Sequence, residues 1–507
     1  MTSDTPATQA EQRDMAALAK GGRTNFFGFL LRLGATFPFM LIAGRMYGPA
    51  ALGRYALATL AVDLAAQLCT LGQKRGLAQR LASDERRAAN VVADGMVLSL
   101  VMGVLVAALL WLVPGIMFPS HTFALADRLL VLAIVPIALT DIALAALAYR
   151  YDVGATVRAR SLIQPWTLSI TALGVWFLDR ESGLSIAYLV SMCACWVAAL
   201  VPLLKAFGSP RGWRPHPLRI GRLAISTMPL AVADIVEWGT RKLDIYILGI
   251  YSVSTPESVG VYYVAQQVAT LPQKLKTSFE PILGPVITRN LRAGNLPGIA
   301  RQVCQVGFWI TAAQAGIALA LGIPGKGVLG LMGPQFVEGD LALQFLLAAE
   351  VAAAAAVVSE AALIYMAPMR NLSLSLGTIA LQAVLTVIGM HVDNGFNLTP
   401  FDRASSAAGA LLVTLCIASL IKSQLLRRLL GHPVSNLRWS LLLAILPAGA
   451  VGWAAGAFLP EWAEVGLGIP AILATYCWVI WTWGFGPEDR LLLRRDSGTT
   501  HTMEGRG

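Results

Sequence analysis

The sequence predicts an all-α polytopic membrane protein of about fourteen transmembrane helices. These form two six-helix lobes related by an internal parallel repeat, followed by two C-terminal helices. Composition comes first: hydrophobic residues make up 56% of the 507 and charged residues 13%, where a soluble domain has about 25% charged. Mean hydropathy is +0.64. Long apolar runs recur from residue 24 to 485, such as "VLSLVMGVLVAALLWLV" (97–113), "LAAEVAAAAAVVSEAALIYM" (347–366) and "SLLLAILPAGAVGWAAGAFL" (440–459). Each is near the roughly 20 residues that span a hydrocarbon core as a helix. Helices are required because a lipid-exposed backbone must satisfy its own hydrogen bonds.

In chain order, spans are predicted at about 24–46, 54–74, 92–117, 127–149, 161–179, 184–204, 223–250, 258–287, 303–324, 341–366, 372–391, 404–421, 439–459 and 465–485. The first 23 residues lack an apolar core and read as a polar cytoplasmic leader, not a cleavable signal. With that leader inside, the cytoplasmic segments hold 28 of the 39 Lys and Arg and the outer loops hold six. The inner segments include "KRGLAQRLASDERR", "RYDVGATVRAR", "KAFGSPRGWRPHPLRIGR" and "KSQLLRRLLGHPVSNLR". This asymmetry is the positive-inside rule, and it sets both termini in the cytoplasm. The net charge of +10 is therefore topological, and no nucleic-acid partner is expected.

An internal repeat divides the chain. Residues 49–55 read "PAALGRY" and residues 256–262 read "PESVGVY", 207 positions apart. Both fit Pro-x-x-(Leu/Val)-Gly-x-Tyr, carried by Gly48, Pro49, Gly53 and Tyr55 in one copy and Pro256, Gly260 and Tyr262 in the other. Each copy sits at the first outer loop of its half. Six spans separate the copies, so the halves have the same orientation, a recurrent transporter plan with the substrate path between the bundles. The expected units are a leader (1–23), an N-lobe (24–207), a cytoplasmic linker (208–222), a C-lobe (223–428), spans 13 and 14 (429–487) and a cytoplasmic tail (488–507).

The stretch 23–83, with Arg45-x-x-Gly48-Pro49-x-x-x-Gly53-x-Tyr55 and a span ending in Leu71-Gly72 before a basic run, resembles the N-terminus of polysaccharide-exporting flippases. These are the Wzx-like members of the multidrug/oligosaccharidyl-lipid/polysaccharide (MOP) superfamily. "LDIYILGIYSVSTPESVGVYYVAQQVATLP" is similar to the same family's seventh and eighth spans. The resemblance implies that spans 1, 2, 7 and 8 line a central cavity. It also implies movement of a polyprenyl-diphosphate-linked oligosaccharide from the cytoplasmic to the periplasmic leaflet of a bacterial inner membrane, for surface polysaccharide such as O-antigen or exopolysaccharide. A polysaccharide polymerase and chain-length machinery are the protein partners it suggests. Basic cavity residues meet the diphosphate in better understood relatives, and Arg32 and Lys274 lie on the corresponding helices.

A diphosphate headgroup needs cations in a hydrated cavity, and intramembrane ionisable residues are functional candidates by default. The candidates are Arg32, Arg241, Lys242, Lys274 and Lys276. Arg32 lies about eight residues, roughly 12 Å, into span 1, while Arg241 and Lys242 lie roughly 27 Å into span 7. Lys274 and Lys276 follow Pro272 in the inner half of span 8, where Pro272, Pro281 and Pro285 predict a kink. Snorkelling of Lys274 and Lys276 to the headgroups is the competing account, and Arg32 fits a structural carboxylate pair as well. Asp234, Glu237, Arg241 and Asp244 lie near one another in span 7. The Glu237–Arg241 and Arg241–Asp244 spacings form a self-compensating stripe, leaving Lys242 without a local partner on it.

Asp63 (span 2) and Asp141 (span 4) are the candidates for coupling to H+ or Na+, with a structural hydrogen-bonding role as the alternative. No cofactor or metal is expected. The five histidines lack His-x-x-x-His spacing, the six cysteines lie in spans without ligand company, and no P-loop occurs. "GIPGKGVLGLMG" (322–333) reads as a flexible or re-entrant outer connection, and "WVIWTWGF" (478–485) as an interfacial aromatic belt. Other functions remain open at this point. A cation-coupled drug or metabolite antiporter would favour acidic cavity residues, whereas spans 1, 7 and 8 carry five cations. A glycosyl polymerase or ligase would need a larger, charged outer loop. A non-transporting scaffold fits the paired lobes too.

Overall fold

In the computed structural model the described residues are 31, 34–83, 88–119, 123–210, 212–251, 255–391, 399–435 and 438–485. They are helical throughout apart from turns and short connections, with no strand among them. The long helices are α1 (34–47), α2 (Gly48–Thr70), α3 (Ala88–Leu112), α4 (Leu125–Tyr149), α5 (153–176), α6 (Gly183–Phe207) and α7 (Pro217–Ile250). They continue with α8 (Pro256–Arg292), α9 (Leu296–Gly322), α10 (Asp340–Met366), α11 (Pro368–His391), α12 (Pro400–Leu430), α13 (Trp439–Phe458) and α14 (Glu461–Gly484). Their succession is consistent with the fourteen expected crossings.

Local chemistry marks many of the boundaries. Gly48, at φ +82°, turns the chain between α1 and α2, and Pro49 then occupies the first turn of α2. Asp152 caps α5 by accepting from the Ala155 nitrogen, and Thr255 and Asn295 do the same for α8 and α9. Thr399 and Asp402 form a capping box at α12, which ends at Gly431 in the left-handed conformation. Helix α8 runs unbroken through Pro272, Pro281 and Pro285. The Pro272 carbonyl oxygen accepts from Gln314 Nε2 on α9 at 3.1 Å.

Among the described residues, nine helices are long and apolar enough to cross a membrane: α3, α4, α6 and α9 to α14. Of the rest, α2, α5, α7 and α8 are less apolar, and α1 is described over residues 34–47 only. All five contribute to the central cavity described below, together with α9 to α12.

In the first half α2 packs on α3 and α4, and α6 packs on α4 and α5; in the second, α10 packs on α8, α9 and α12, and α11 on α12. Helices α13 and α14 pair and dock on α9. There the Tyr476 hydroxyl donates to the Ala312 carbonyl at 2.8 Å and its ring fills the space beside Gly316. The two halves meet mainly through α2, which runs against α7 and α8. The segment 322–333 is not an open loop: it folds into a short helix, Gly325–Gly330, and packs on the end of α1, where Arg45 Nε donates to the Leu331 carbonyl at 3.0 Å.

Candidate functional site: a polar cavity between the lobes

The repeated motif builds one end of the site. A Cβ on Gly53 would overlap the Pro256 carbonyl oxygen, and a Cβ on Gly260 would overlap the Pro49 carbonyl oxygen. The contact is reciprocal: each copy's glycine seats the first-turn carbonyl of the other copy's proline. Small residues are what allow membrane helices to approach this closely. Around the crossing, Leu52, Tyr55, Val259, Tyr262 and Val264 join one buried apolar cluster shared by both lobes. We call this the motif end; the opposite end carries the inter-lobe linker 208–216. On the linker side α2 also meets α7, since a Cβ on Gly72 (φ +71°) would crowd Leu230 and Ala231.

Between the two ends lies a cavity of about 1220 Å³. Its N-lobe wall includes Phe37, Phe39, Met40, Tyr55, Leu60 and Leu168, with Thr36, Thr59, Asp63, Arg160, Gln164 and Tyr188 as its polar groups. Asp63 accepts from the Tyr188 hydroxyl at 2.5 Å. The ring of Tyr55 meets the rings of Phe39, Tyr188 and Tyr263 at 5.7, 5.9 and 6.3 Å. Arg160 pairs with Asp141, whose other oxygen lies 3.7 Å from Lys74 Nζ. The Asp141 side chain is 5% exposed and that of Arg160 33%, so the carboxylate sits behind the cation.

The C-lobe wall is richer in amides, hydroxyls and carboxylates. Lys242 Nζ donates to Gln266 Oε1 at 3.1 Å, and Gln266 Nε2 reaches Asp244 at 3.3 and 3.4 Å. Asp244 is fully buried and also accepts from the Tyr262 hydroxyl. Gln267 donates to the Tyr263 hydroxyl at 2.7 Å, and Gln273 to Glu350 at 3.2 Å. Nearer the linker end, Lys422 Nζ lies 3.0 Å from Glu360 Oε2 and 3.1 Å from Ser375 Oγ. Asn371, Ser375 and Thr378 of α11 line the cavity beside them.

The expected site residues fall into three groups. Asp63, Lys242 and the motif residue Tyr55 line the cavity, and Asp141, Asp244 and Tyr262 sit next to lining groups. Lys242 is not left alone, because Gln266 of the neighbouring helix takes its proton donor and hands the contact on to Asp244. Asp234 is buried on α7. Arg32 lies outside the described residues, as do the side chains of Glu237, Arg241, Lys274 and Lys276.

Two lining cations, Arg160 and Lys422, fall outside the expected candidates, because the expected span bounds place both in basic cytoplasmic segments. The helices are longer than expected at that end. The legible signals were the Asp152 N-cap, which starts α5 eight residues before Arg160, and Gly431 as the stop of α12, nine residues beyond Lys422. Among the described residues no group of His, Cys, Asp and Glu could hold a metal ion.

Comparison with known proteins follows this geometry. The model of a polysaccharide biosynthesis protein family matches residues 42–293. An inward-facing multidrug resistance MATE family transporter of the MOP superfamily aligns over 79% of this chain and 94% of its own, with 16% identity and a TM-score of 0.63. The chain has the MOP-transporter fold, and its residues 42–293 are similar to the polysaccharide biosynthesis family. A MOP-superfamily transporter from Pyrococcus furiosus, described as having a binding pocket of reversed polarity, covers 82% of this chain and 95% of its own at 15% identity and TM-score 0.57. An outward-facing MATE transporter covers 82% and 95% at 14% identity, also with a TM-score of 0.57. No curated protein sequence matches the chain. The fold neighbours are transporters, and the long apolar helices make this a multi-pass membrane protein.

Proposed function

We propose that this protein is a flippase that carries a polyprenyl-diphosphate-linked oligosaccharide from the cytoplasmic to the periplasmic leaflet for surface polysaccharide synthesis. The observation that carries the proposal is the polar cavity between the lobes, held in a chain whose residues 42–293 match a polysaccharide biosynthesis family. Arg160 and Lys242 line that cavity from opposite lobes and supply the cationic contacts a diphosphate needs; Arg32, Arg241, Lys274 and Lys276 remain further candidates on the same path.

The linker end is the cytoplasmic one in this reading, with both termini inside the inner membrane. Alternating access supplies the movement. The reciprocal glycine contact closes the motif end, and the likeness is greater to an inward-facing relative (TM-score 0.63) than to an outward-facing one (0.57). Asp63, which faces the cavity and holds the Tyr188 hydroxyl, is the carboxylate proposed to couple movement to H+ or Na+. Asp141 is already engaged by two cations, which makes it the weaker coupling candidate. The polymerase and chain-length machinery would receive the flipped product.

The test is complementation of a flippase-deficient strain. Wild-type protein is expected to restore surface polysaccharide, and Arg160→Ala and Lys242→Ala to insert normally while the lipid-linked intermediate accumulates. Normal export by both variants would remove the diphosphate from these contacts. Failure of the wild type, with resistance to cationic drugs instead, would favour the antiporter.

A further inference from the structure

Near the linker end each lobe contains a carboxylate–cation pair, and the two pairs present opposite charges to the cavity. In the N-lobe the exposed partner is the cation: the Arg160 side chain is 33% exposed and that of Asp141 5%. In the C-lobe the order is reversed: the Glu360 side chain is 37% exposed and that of Lys422 7%. Lys422 is therefore committed to holding Glu360 and Ser375, and of this lining pair the more exposed group is the carboxylate.

Next to it, Asn371 is 7% exposed, lines the cavity, and its Oδ1 has no hydrogen-bond partner among the described residues. A buried amide oxygen without a partner costs about 1–3 kcal/mol, so the position is one a ligand donor would stabilise. Ser375 and Thr378 follow at four and seven residues along the same face of α11 and also line the cavity. Tyr365, 48% exposed, adds an aromatic face to the same wall. A carboxylate and an amide oxygen repel a diphosphate and accept hydrogen bonds from hydroxyl groups. Side-chain hydroxyls and an accessible ring complete a surface suited to a sugar, whose polar edge and apolar face both need partners.

We infer that this shelf, formed by Glu360, Asn371, Ser375 and Thr378 and held by Lys422, binds the saccharide of the translocated lipid while Arg160 of the opposite lobe holds its diphosphate. The inference rests on the flippase reading and adds to it a division of labour: the cations Arg160 and Lys242 take the anion, and the α10–α11 shelf takes the glycan. It makes that shelf the place where the saccharide is selected.

The experiment uses the full-length protein in lipid nanodiscs and two probes. One is undecaprenyl diphosphate; the other is the lipid-linked saccharide extracted from a flippase-deleted strain of the same host. Wild type is expected to bind the saccharide-bearing lipid about tenfold more tightly than the bare lipid, the worth of one or two net hydrogen bonds. Asn371→Ala and the near-isosteric Thr378→Val each bring that ratio toward one and keep the affinity for bare undecaprenyl diphosphate. Arg160→Ala weakens both lipids by the same factor. Equal binding of the two lipids by wild type, or an unchanged ratio in both α11 variants, overturns the saccharide shelf and leaves the flippase reading standing. Binding of neither lipid by wild type overturns both.

Discussion

The two copies of the Pro-x-x-(Leu/Val)-Gly-x-Tyr motif occupy matching places and do different chemistry. Their glycines and prolines make one reciprocal contact, so the packing role is shared. Their tyrosines diverge. Tyr262 is fully buried and donates to Asp244, whereas Tyr55 is held by three aromatic rings. The repeat spacing of 207 residues explains why: the position corresponding to Asp244 in the first half is Phe37. The two copies share the close helix crossing, while the tyrosine of one meets a buried carboxylate and that of the other an aromatic cluster. Packing at a crossing depends on both copies at once, so neither glycine can change alone. A side chain pointing into its own lobe is under no such constraint.

The shared contact can be broken from either side. Gly53→Leu and Gly260→Leu each place a branched side chain against a backbone carbonyl that cannot rotate away, and overpacking of this kind costs about 1–3 kcal/mol or more. Both variants are expected to reduce export on the order of tenfold or more. A cysteine introduced at Thr36, which lines the cavity, should then react faster with an impermeant thiol reagent added from the motif side. Wild-type export and labelling in both variants would show that this crossing does not close the cavity.

The divergent chemistry is tested next. Asp244→Ala leaves the Tyr262 hydroxyl and Gln266 without their buried acceptor, at a cost of about 1–3 kcal/mol; thermal unfolding in detergent should show it as a lowered midpoint. Asp63→Ala is expected to cost less stability, because Asp63 borders the cavity and water can replace it, but to reduce transport. Equal destabilisation by the two would erase the distinction between a structural and a path carboxylate.

The last comparison is between the tyrosines themselves, and it is read in stability alone. Tyr262→Phe removes a hydrogen bond to a carboxylate, worth about 1.5–3 kcal/mol, while Tyr55→Phe retains the ring contacts and is expected to stay within about 0.5 kcal/mol of wild type. A larger midpoint loss for Tyr55→Phe would reverse the assignment of polar chemistry to the second copy.

Much of this was legible along the chain. Apolar runs and basic loops announce a polytopic helical protein because lipid imposes one rule on every exposed backbone group. The motif Gly53 and Gly260 could be matched by eye, and their spacing implies two parallel halves. Lys242 and Asp63 could be nominated because charge in a span demands a reason. Their partners could not. Gln266 sits 24 residues from Lys242 and Tyr188 sits 125 from Asp63, and no local spacing rule connects such pairs. Arg160 and Lys422 were hidden differently, since a basic residue near a helix end reads as an inside loop until the cap beyond it is recognised.

The sequence by itself determined that the chain crosses a membrane, that its two halves share an orientation, and which residues are costly enough to demand partners. Those follow from transfer energies and helical geometry, which act locally. Only the tertiary structure decided which partner faces water. Asp141 lies behind Arg160 whereas Glu360 stands in front of Lys422, because the order depends on how three helices meet and not on what any one of them contains.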